Sequence, residues 1–230
     1  MKLRSFLLAI FVLGMLVQFP ANAHEKGDWI VRAGAVVVNP DDSSETIDVA
    51  GIVTLPGVDV GNETQIGITG AYMLREKVGI ELLAATPFTH KIKLTGLGVN
   101  AGDTKQLPPT VMLQYYLGDS SSKFTPYIGL GINTTIFFEE DVDDELNLAL
   151  DGIVGLPPGS VDADLSLKQS WGWSAQIGFD YMVNDKWLIN GAVWYTDIET
   201  EAKIKTAIAT VKFDVDIDPF VYMLSVGYRF

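Results

Sequence analysis

Apolar and polar residues alternate with a period of two along most of the chain that follows an apolar leader. This pattern is typical of β-strands, in which successive side chains point to opposite faces of a sheet. Eight segments show it, over residues 27–38, 64–74, 78–87, 109–117, 124–139, 166–183, 187–204 and 211–230. No run of about 18 apolar residues occurs elsewhere in the chain, so the sequence predicts an all-β protein and excludes a helical membrane protein.

The connections between these segments alternate between short and long. Short turns fall at 75–77, 118–123 and 184–186. Longer loops fall at 39–63, 88–108 and 140–165, with a hairpin tip near 205–210. This alternation predicts an eight-stranded antiparallel up-and-down transmembrane β-barrel with short periplasmic turns and longer extracellular loops. No internal linker or repeat interrupts the pattern, so one barrel domain is expected.

The predicted strands have one bulky apolar face and one small or polar face. In the last strand the bulky face carries Phe220, Tyr222, Leu224, Val226, Tyr228 and Phe230. A lipocalin-like soluble barrel would bury such a face. However, a lumen of eight strands has no room for so many rings, and membrane interfaces favour aromatic residues at both ends of an apolar band. We therefore expect the bulky face, including Trp173, Phe179 and Tyr222, to contact lipid.

The leader has the features of a secretory signal peptide. Lys2 and Arg4 precede an apolar run over residues 6–17, and Ala21-Asn22-Ala23 fits a cleavage site. Residues 1–23 are thus predicted to be removed, leaving the barrel at 24–230. Loss of the two basic residues lowers their number from 16 to 14 against 29 acids, a net charge of −15. Such a charge argues against nucleic acid as a partner.

The residues that could support catalysis or metal binding are few. The chain has no cysteine and only two histidines, His24 and His90. Nucleophilic catalysis needs a nucleophile beside a base, and no motif brings a serine to either histidine. The acids at 139–145 are interpreted as a solvated rim rather than a divalent-ion site. No enzymatic activity, catalytic residue, metal or cofactor is therefore expected.

Alternation places four charged residues on the lumen face of their strands: Arg32, Glu81, Asp180 and Arg229. Buried charges need partners of opposite sign and hydrogen bonds. We interpret the four residues as a structural plug near the periplasmic end. An ion or proton relay is the alternative.

Several short motifs occur along the chain: 31–34 (VRAG), 79–88 (GIELLAATPF), 90–92 (HKI), 107–110 (LPPT), 121–124 (SSKF), 126–129 (PYIG), 165–168 (LSLK), 170–172 (SWG), 193–195 (VWY), 218–220 (DPF) and 227–230 (GYRF). In these segments the chain resembles the OmpW family of Gram-negative outer-membrane proteins. These motifs keep their order along nearly the whole chain and fall on the predicted strands. The resemblance implies a bacterial outer-membrane barrel whose narrow apolar channel binds small hydrophobic or detergent-like molecules and helps in their uptake.

The resemblance also implies roles for particular residues. A polar plug would block direct passage to the periplasm, so that ligands leave sideways into the membrane. Leu83 and Trp194, which match an aliphatic residue and a tryptophan of the family motifs, would form a gate at the channel floor and contact the ligand. Alternation agrees, because both face the lumen. Plain filling of the core is the alternative for both residues.

Three prolines suggest where a sideways exit lies. Pro87 ends the third predicted strand, and Pro108 and Pro109 precede the fourth. Proline has no backbone N–H to give to the ladder, so this part of the wall is expected to be left unpaired. The alternative is that these prolines only punctuate loops.

Two further expectations concern partners. Terminal Phe230 and the alternation before it are expected to be read by the outer-membrane assembly machinery. Apolar loop residues are expected to pack together above the barrel or to form an entrance funnel; they are Ile52, Val53, Leu55, Val58, Leu94, Leu97, Val99, Leu148, Leu150, Ile153, Val154 and Leu156. The expected function is uptake of small hydrophobic molecules, and the alternative is a structural or receptor barrel for phages or toxins, without transport.

Overall fold

The computed structural model describes residues 24–49, 53–55, 57–95, 97–118, 122–207 and 209–230. The predicted signal peptide, 1–23, and the loop residue Ile52 lie outside these ranges. The strands are β1 (Trp29–Asn39), β2 (Ser43–Ser44), β3 (Ile47–Val49), β4 (Val53–Leu55), β5 (Val58–Val60), β6 (Glu63–Arg75), β7 (Val78–Ala85), β8 (Phe88–Leu94), β9 (Val99–Leu107), β10 (Thr110–Tyr116), β11 (Phe124–Val142), β12 (Asp164–Leu167), β13 (Ser170–Met182), β14 (Trp187–Thr196), β15 (Glu199–Lys205), β16 (Thr210–Asp216) and β17 (Phe220–Arg229). Helix α1 (Asp144–Val154) lies between β11 and β12.

Eight of these strands close into an antiparallel barrel. Their order around the ring is β1, β6, β7, β10, β11, β13, β14 and β17, and β17 pairs with β1 to close it. The closing register runs from Ile30 opposite Arg229 to Asn39 opposite Phe220. A closed ring leaves no strand edge unpaired, which a membrane interior requires because it offers no water to unpaired backbone groups. The predicted fold class is confirmed.

The bulky face of the barrel points outward, as predicted. Trp173, Leu130 and Tyr222 are 51%, 68% and 45% exposed. Phe179 is half-buried on the same face. Aromatic pairs lie towards both ends of the apolar band: Trp187 with Tyr228 at the end with the short turns, and Trp173 with Tyr195 at the end with the long loops. These two belts fit the two interfaces of a bilayer.

The long loops contain more regular structure than the sequence predicted. Seven barrel strands are separated by breaks of two or three residues from further strands, at 40–42, 61–62, 86–87, 108–109, 168–169, 197–198 and 217–219. β11 alone among the described barrel strands continues without a break, over 19 residues. Pro40, Pro87, Pro108, Pro109 and Pro219 lie in the breaks. Proline interrupts a ladder because it lacks the N–H donor.

We call the part beyond these breaks, at the end with the long loops, the head; it comprises β2–β5, β8, β9, the end of β11 after Thr135, α1, β12, β15 and β16. One of its sheets has the order β12-β15-β16-β2, and a second runs from β11 through β9 and β8 to β5. Apolar side chains of these sheets, of the β3-β4 pair and of α1 form a cluster inside the head, among them Leu94, Leu55 and Leu150. The expected packing of apolar loop residues is therefore found for these three, whereas Leu97, Leu148 and Leu156 are exposed.

Helix α1 caps one side of the head. Asp144 and Glu145 stand in its first turn, where negative charge is favoured by the helix dipole, and Gly155 ends it with a φ of 72°. Leu146 packs into the head cluster. None of the helices in the described part of the chain is long and apolar enough to cross a membrane.

The close approach of β1 and β17 depends on a glycine. A Cβ added at Gly34 would lie 2.0 Å from the carbonyl oxygen of Leu224 and 2.5 Å from Cα of Ser225. We expect Gly34→Ala to lower the free energy of unfolding by about 1 to 3 kcal/mol, because the two strands must move apart. Urea unfolding of the barrel in lipid vesicles, followed by tryptophan fluorescence, measures this.

Gly70→Ala is the control for that substitution. Gly70 lies in β6 of the same barrel, and a Cβ there would meet no atom within 4 Å. We expect its unfolding midpoint to stay near that of the parent. Equal loss of stability in both variants would show that the strand contact at Gly34 is not the cause.

Candidate functional site

A buried ion cluster fills the lumen near the end with the short turns. Arg32 projects inward from β1, opposite Gly227 of β17. Its guanidinium donates from Nε to Oδ1 of Asp180 at 3.1 Å and from Nη2 to Oδ2 at 2.6 Å. Its Nη1 donates to Oε2 of Glu81 at 2.9 Å. A Cβ at Gly227 would lie 2.9 Å from Cγ of Arg32, so the glycine makes room for the arginine.

Neutral side chains extend the cluster on the side of Glu81. Gln176 donates to Oε1 of Glu81 at 2.9 Å, and Gln114 donates to Oε1 of Gln176 at 3.0 Å. The Tyr116 hydroxyl donates to Gln114 at 2.8 Å and accepts from Arg32 at 3.1 Å. The Glu81 carboxylate therefore has a charged partner in Arg32 and a hydrogen-bond donor in Gln176, and these contacts offset the cost of its burial.

On the side of Asp180, the amide of Asn190 links the cluster to the rest of the wall. Its Nδ2 lies 2.9 Å from Oδ1 of Asp180 and 2.9 Å from the Tyr127 hydroxyl. Ser225 donates to Oδ1 of Asn190 at 3.2 Å. With these residues the network joins β1, β7, β10, β11, β13, β14 and β17, seven of the eight barrel strands. We call this network the plug, after the role predicted for its charged residues.

His24 lies in the plug although it precedes the first strand. Its side chain is buried, and Nε2 lies 2.8 Å from Oδ2 of Asp180. The ring stands edge-on to Tyr116 with centroids 4.8 Å apart. Strand alternation cannot place a residue outside the strands, so no sequence signal assigned His24 to this cluster.

Arg229 lies outside the plug, contrary to the prediction. It stands in register with Ile30, two residues nearer the strand end than Arg32, and its side chain is 14% exposed. Its Nε and Nη2 donate to the carbonyl oxygen of Asp185 at 3.1 and 2.6 Å, and Nη1 lies 3.6 Å from Asp28. Alternation shows which face of the sheet a side chain occupies but not its position along the barrel axis. It therefore grouped Arg229 with Arg32, although the two lie at different positions along that axis.

Leu83 and Trp194 lie above the plug. Both are buried in the apolar cluster that fills the lumen, and the indole Nε1–H of Trp194 has no hydrogen-bond partner within the described part of the chain. Leu83, with Ala85 and Pro108, lines a small, mostly apolar cavity. We call it the lower cavity. Leu83 thus forms part of its wall, and Trp194, which is paired with cavity-lining Val221, stands at its level.

The wall beside the lower cavity has a gap in its ladder. Pairing of β7 with β10 ends at Leu83 opposite Thr110, and pairing resumes at Phe88 opposite Gln106. No ladder pair therefore joins 84–87 to 107–109. We call this interruption the wall gap; it holds Pro87, Pro108 and Pro109.

Other breaks are bridged by backbone hydrogen bonds, so proline alone does not open the wall. At the break that contains Pro40, the N–H of Asp41 donates to the carbonyl of Ile217 at 3.1 Å. At the break that contains Pro219, the N–H of Thr196 donates to the proline carbonyl at 3.2 Å. The wall gap differs because, in the described part of the chain, no backbone hydrogen bond joins 84–87 to 107–109.

A second, apolar pocket lies inside the head, and we call it the upper pocket. Its lining is mostly aliphatic and aromatic, with Ile92, Leu94, Phe137 and Phe213 among the residues. Gln106 lines both this pocket and the lower cavity. The two apolar spaces therefore meet at Gln106, which stands one ladder pair above the wall gap.

Gln106 is held by the second histidine of the chain. His90 donates from Nδ1 to the carbonyl oxygen of Gly61 at 2.6 Å, and its Nε2 lies 2.8 Å from Nε2 of Gln106. Burial lowers the pKa of His90, so the ring is neutral at pH 7 and Nε2 accepts a hydrogen bond from the Gln106 amide. His90 therefore orients the amide of Gln106. Neither of these two hydrogen-bond partners of His90 is a serine.

The comparisons with known proteins agree with this architecture. A sequence model described as the OmpW family matches residues 25–230. The chain belongs to the OmpW family. Outer membrane protein W of Vibrio cholerae serotype O1 is 41% identical, over 99% of this chain and 100% of its own length. Outer membrane protein W of Escherichia coli K12 is 42% identical over the same shares.

The crystal structure of the outer membrane protein OprG from Pseudomonas aeruginosa is also similar. It matches with a TM-score of 0.79 and 43% identity, over 90% of this chain and 98% of OprG. This OmpW-family barrel is accordingly an outer-membrane protein, embedded in the lipid of that membrane. The end with the short turns is the periplasmic end, and the head is extracellular.

The role predicted for the C-terminal residue Phe230 remains a prediction. Phe230 is exposed, its N–H donates to the carbonyl of Trp29 at 2.8 Å, and its ring packs on Tyr228. Recognition of this residue by the assembly machinery is an expectation that the fold leaves untested.

Some polar members of the plug were not predicted, such as Gln114, Tyr116 and Asn190. Their side chains follow the same alternation along their strands as the other lumen-facing residues, and this alternation was the signal that could have identified them.

Proposed function

We propose that this OmpW-family barrel takes up small hydrophobic molecules and releases them sideways into the outer membrane, as a channel rather than an enzyme. One observation carries the proposal: two apolar cavities that share Gln106 in their walls lie above the buried plug, and the lower one is beside the wall gap. Apolar walls favour an apolar ligand, because transfer out of water gains roughly 25 cal/mol per Å² of buried surface.

The plug supports the sideways route. Its charged groups are fully buried and paired, so a hydrophobic molecule that entered the plug would have to separate Arg32 from Asp180 and Glu81. Leaving such charges unpaired in a low-dielectric interior costs about 3 to 5 kcal/mol. The wall gap asks for no such separation, because no ladder pair stands between its two sides.

In this route Leu83 and Trp194 act as the floor. A ligand in the lower cavity contacts Leu83, and the bulk of Trp194 keeps it from the plug. The three prolines offer no ladder donor at the wall gap. A hydrophobic ligand then passes from the extracellular head to the lipid without meeting the periplasm.

We expect Leu83→Trp to lower uptake severalfold, because the larger ring fills the lower cavity that Leu83 lines. We expect Trp194→Ala to raise uptake, because it removes a buried ring from the floor. Uptake of N-phenyl-1-naphthylamine by whole cells that produce each variant measures both effects. Assembled barrel is quantified on gels by heat-modifiable mobility, so that yields can be matched.

Leu82→Trp is the control, since Leu82 is the neighbouring residue on the lipid face. Its uptake should equal that of the parent. Barrel-dependent uptake that is the same in all three variants would argue against the floor. No barrel-dependent uptake at all would favour a structural or receptor barrel without transport.

A further inference from the structure

The junction between the two cavities carries a polar group in otherwise apolar surroundings. Gln106 is buried, and of the residues that line either cavity it is the one that faces both. A ligand that moves from the upper pocket to the lower cavity must pass its amide. The chemistry of this amide therefore bears on which ligands pass.

The orientation of the amide follows from its neighbour. Because His90 donates from Nδ1 to Gly61, its Nε2 is an acceptor, and the Gln106 group that lies 2.8 Å from it must be the NH₂. This fixes the carbonyl oxygen Oε1 on the other side. Among the described residues Oε1 has no hydrogen-bond partner, so an acceptor is left at the junction.

The other polar groups of the two cavities are already engaged. The hydroxyls of Thr104, Thr110 and Thr200 donate to backbone carbonyls at 3.4, 3.1 and 2.7 Å. Thr196 accepts from Ser174 at 3.3 Å. A ligand hydroxyl can supply the donor that Oε1 lacks, provided that the remainder of the molecule fits the apolar walls.

We infer that Gln106 determines specificity by accepting a hydrogen bond from a hydroxyl group, so that the preferred ligand is a hydrophobic molecule with one hydroxyl. This inference rests on the proposed uptake and names its ligand class. His90 is a positioning residue that holds the amide with Oε1 towards the passage. A single hydrogen bond of this kind corresponds to a two- to tenfold preference.

The test compares octan-1-ol with its isomer 1-methoxyheptane, which has the same atoms and no donor. Rapid-filtration uptake of each labelled solute is measured in cells that produce the barrel, with barrel-free cells as background. We expect the parent to take up the alcohol about two to ten times faster than the ether. Gln106→Met keeps the length of the side chain and removes its acceptor, so the ratio should fall to about one.

Two controls separate the possible outcomes. Thr104→Val changes a hydroxyl on the same wall that is already bonded to the protein, so it should keep the parent ratio. Octane uptake should be equal in the parent and in Gln106→Met, and Gln106→Leu serves if the methionine variant assembles poorly. The same alcohol-to-ether ratio in the parent and both Gln106 variants would overturn the inference while octane uptake continued. Absence of barrel-dependent octane uptake would instead overturn the proposed function.

Discussion

Replacing Arg32 with methionine is expected to lower the free energy of unfolding by about 3 to 5 kcal/mol. Methionine fills much of the same space but leaves two buried carboxylates, Glu81 and Asp180, without their cation. Seven strands meet in this network, so its loss weakens the closure of the whole ring. Urea unfolding in lipid vesicles, followed by tryptophan fluorescence, measures the change, and heat-modifiable mobility reports the assembled fraction.

The chain offers a matched control in Arg229→Met. Arg229 lies at the periplasmic rim, partly exposed, with the carbonyl of Asp185 as an acceptor. Its loss should cost much less. A rescue variant adds Glu81→Gln and Asp180→Asn to Arg32→Met, which removes the unpaired charges and should recover part of the stability. Equal losses for both arginines would contradict the assignment of Arg32, and not Arg229, to the plug.

Bridging the wall gap with a covalent link is expected to reduce hydrophobic uptake to the level of barrel-free cells. Ala85 and Pro108 face each other across the gap and both line the lower cavity. The natural chain has no cysteine, so Ala85→Cys with Pro108→Cys gives two unique thiols. A short bis-methanethiosulfonate reagent joins them, and reductant cleaves the link. Uptake of N-phenyl-1-naphthylamine should stop on linking and return on reduction.

The control pair is Leu82→Cys with Val111→Cys. These residues are paired in the intact ladder just below the gap and face lipid. Linking them should leave uptake unchanged, because no passage lies between them. Mass spectrometry of the linked peptides establishes that both reactions are complete. Unchanged uptake through a fully linked gap would rule out this exit.

The barrel and its lipid face could be predicted from the sequence because each depends on the parity of side chains along a strand. The same parity placed Arg32, Glu81 and Asp180 in the lumen, where the structure brings them together. It could not give their height. Arg229 has the right parity, but it lies one step further along the pleat, where its side chain meets the rim instead.

The head was predicted as loops for a different reason. β8 does alternate, with Phe88, His90 and Ile92 buried, but Pro87 directly before it suggested that the strand had ended. β9 contains Asn100, Gly102 and Asp103, residue types that are poor in strands. Its conformation comes from pairing with β8 and β11, and such long-range pairing is not visible in local sequence.

The candidate site was foreseen only in part. The three prolines indicated the wall gap, yet similar prolines occur at breaks that are bridged, so the register was needed to locate the interruption of the ladder. Leu83 was visible from its position two residues after Glu81. Gln106 could not be identified from the sequence. Its proposed role depends on its position between two cavities and on its hydrogen bond to His90, and both come from the tertiary structure.

The aligned breaks between barrel and head have a consequence for how such a protein diversifies. Neighbouring breaks face one another, as where the N–H of Asp41 meets Ile217 and that of Ile217 meets Ile198. Short joints at one height let the outer half accept substitutions and insertions while the transmembrane half keeps its register and charges. In chimaeras joined at these breaks, the head would be exchanged together with its solute preference, and the bilayer-spanning half would stay the same.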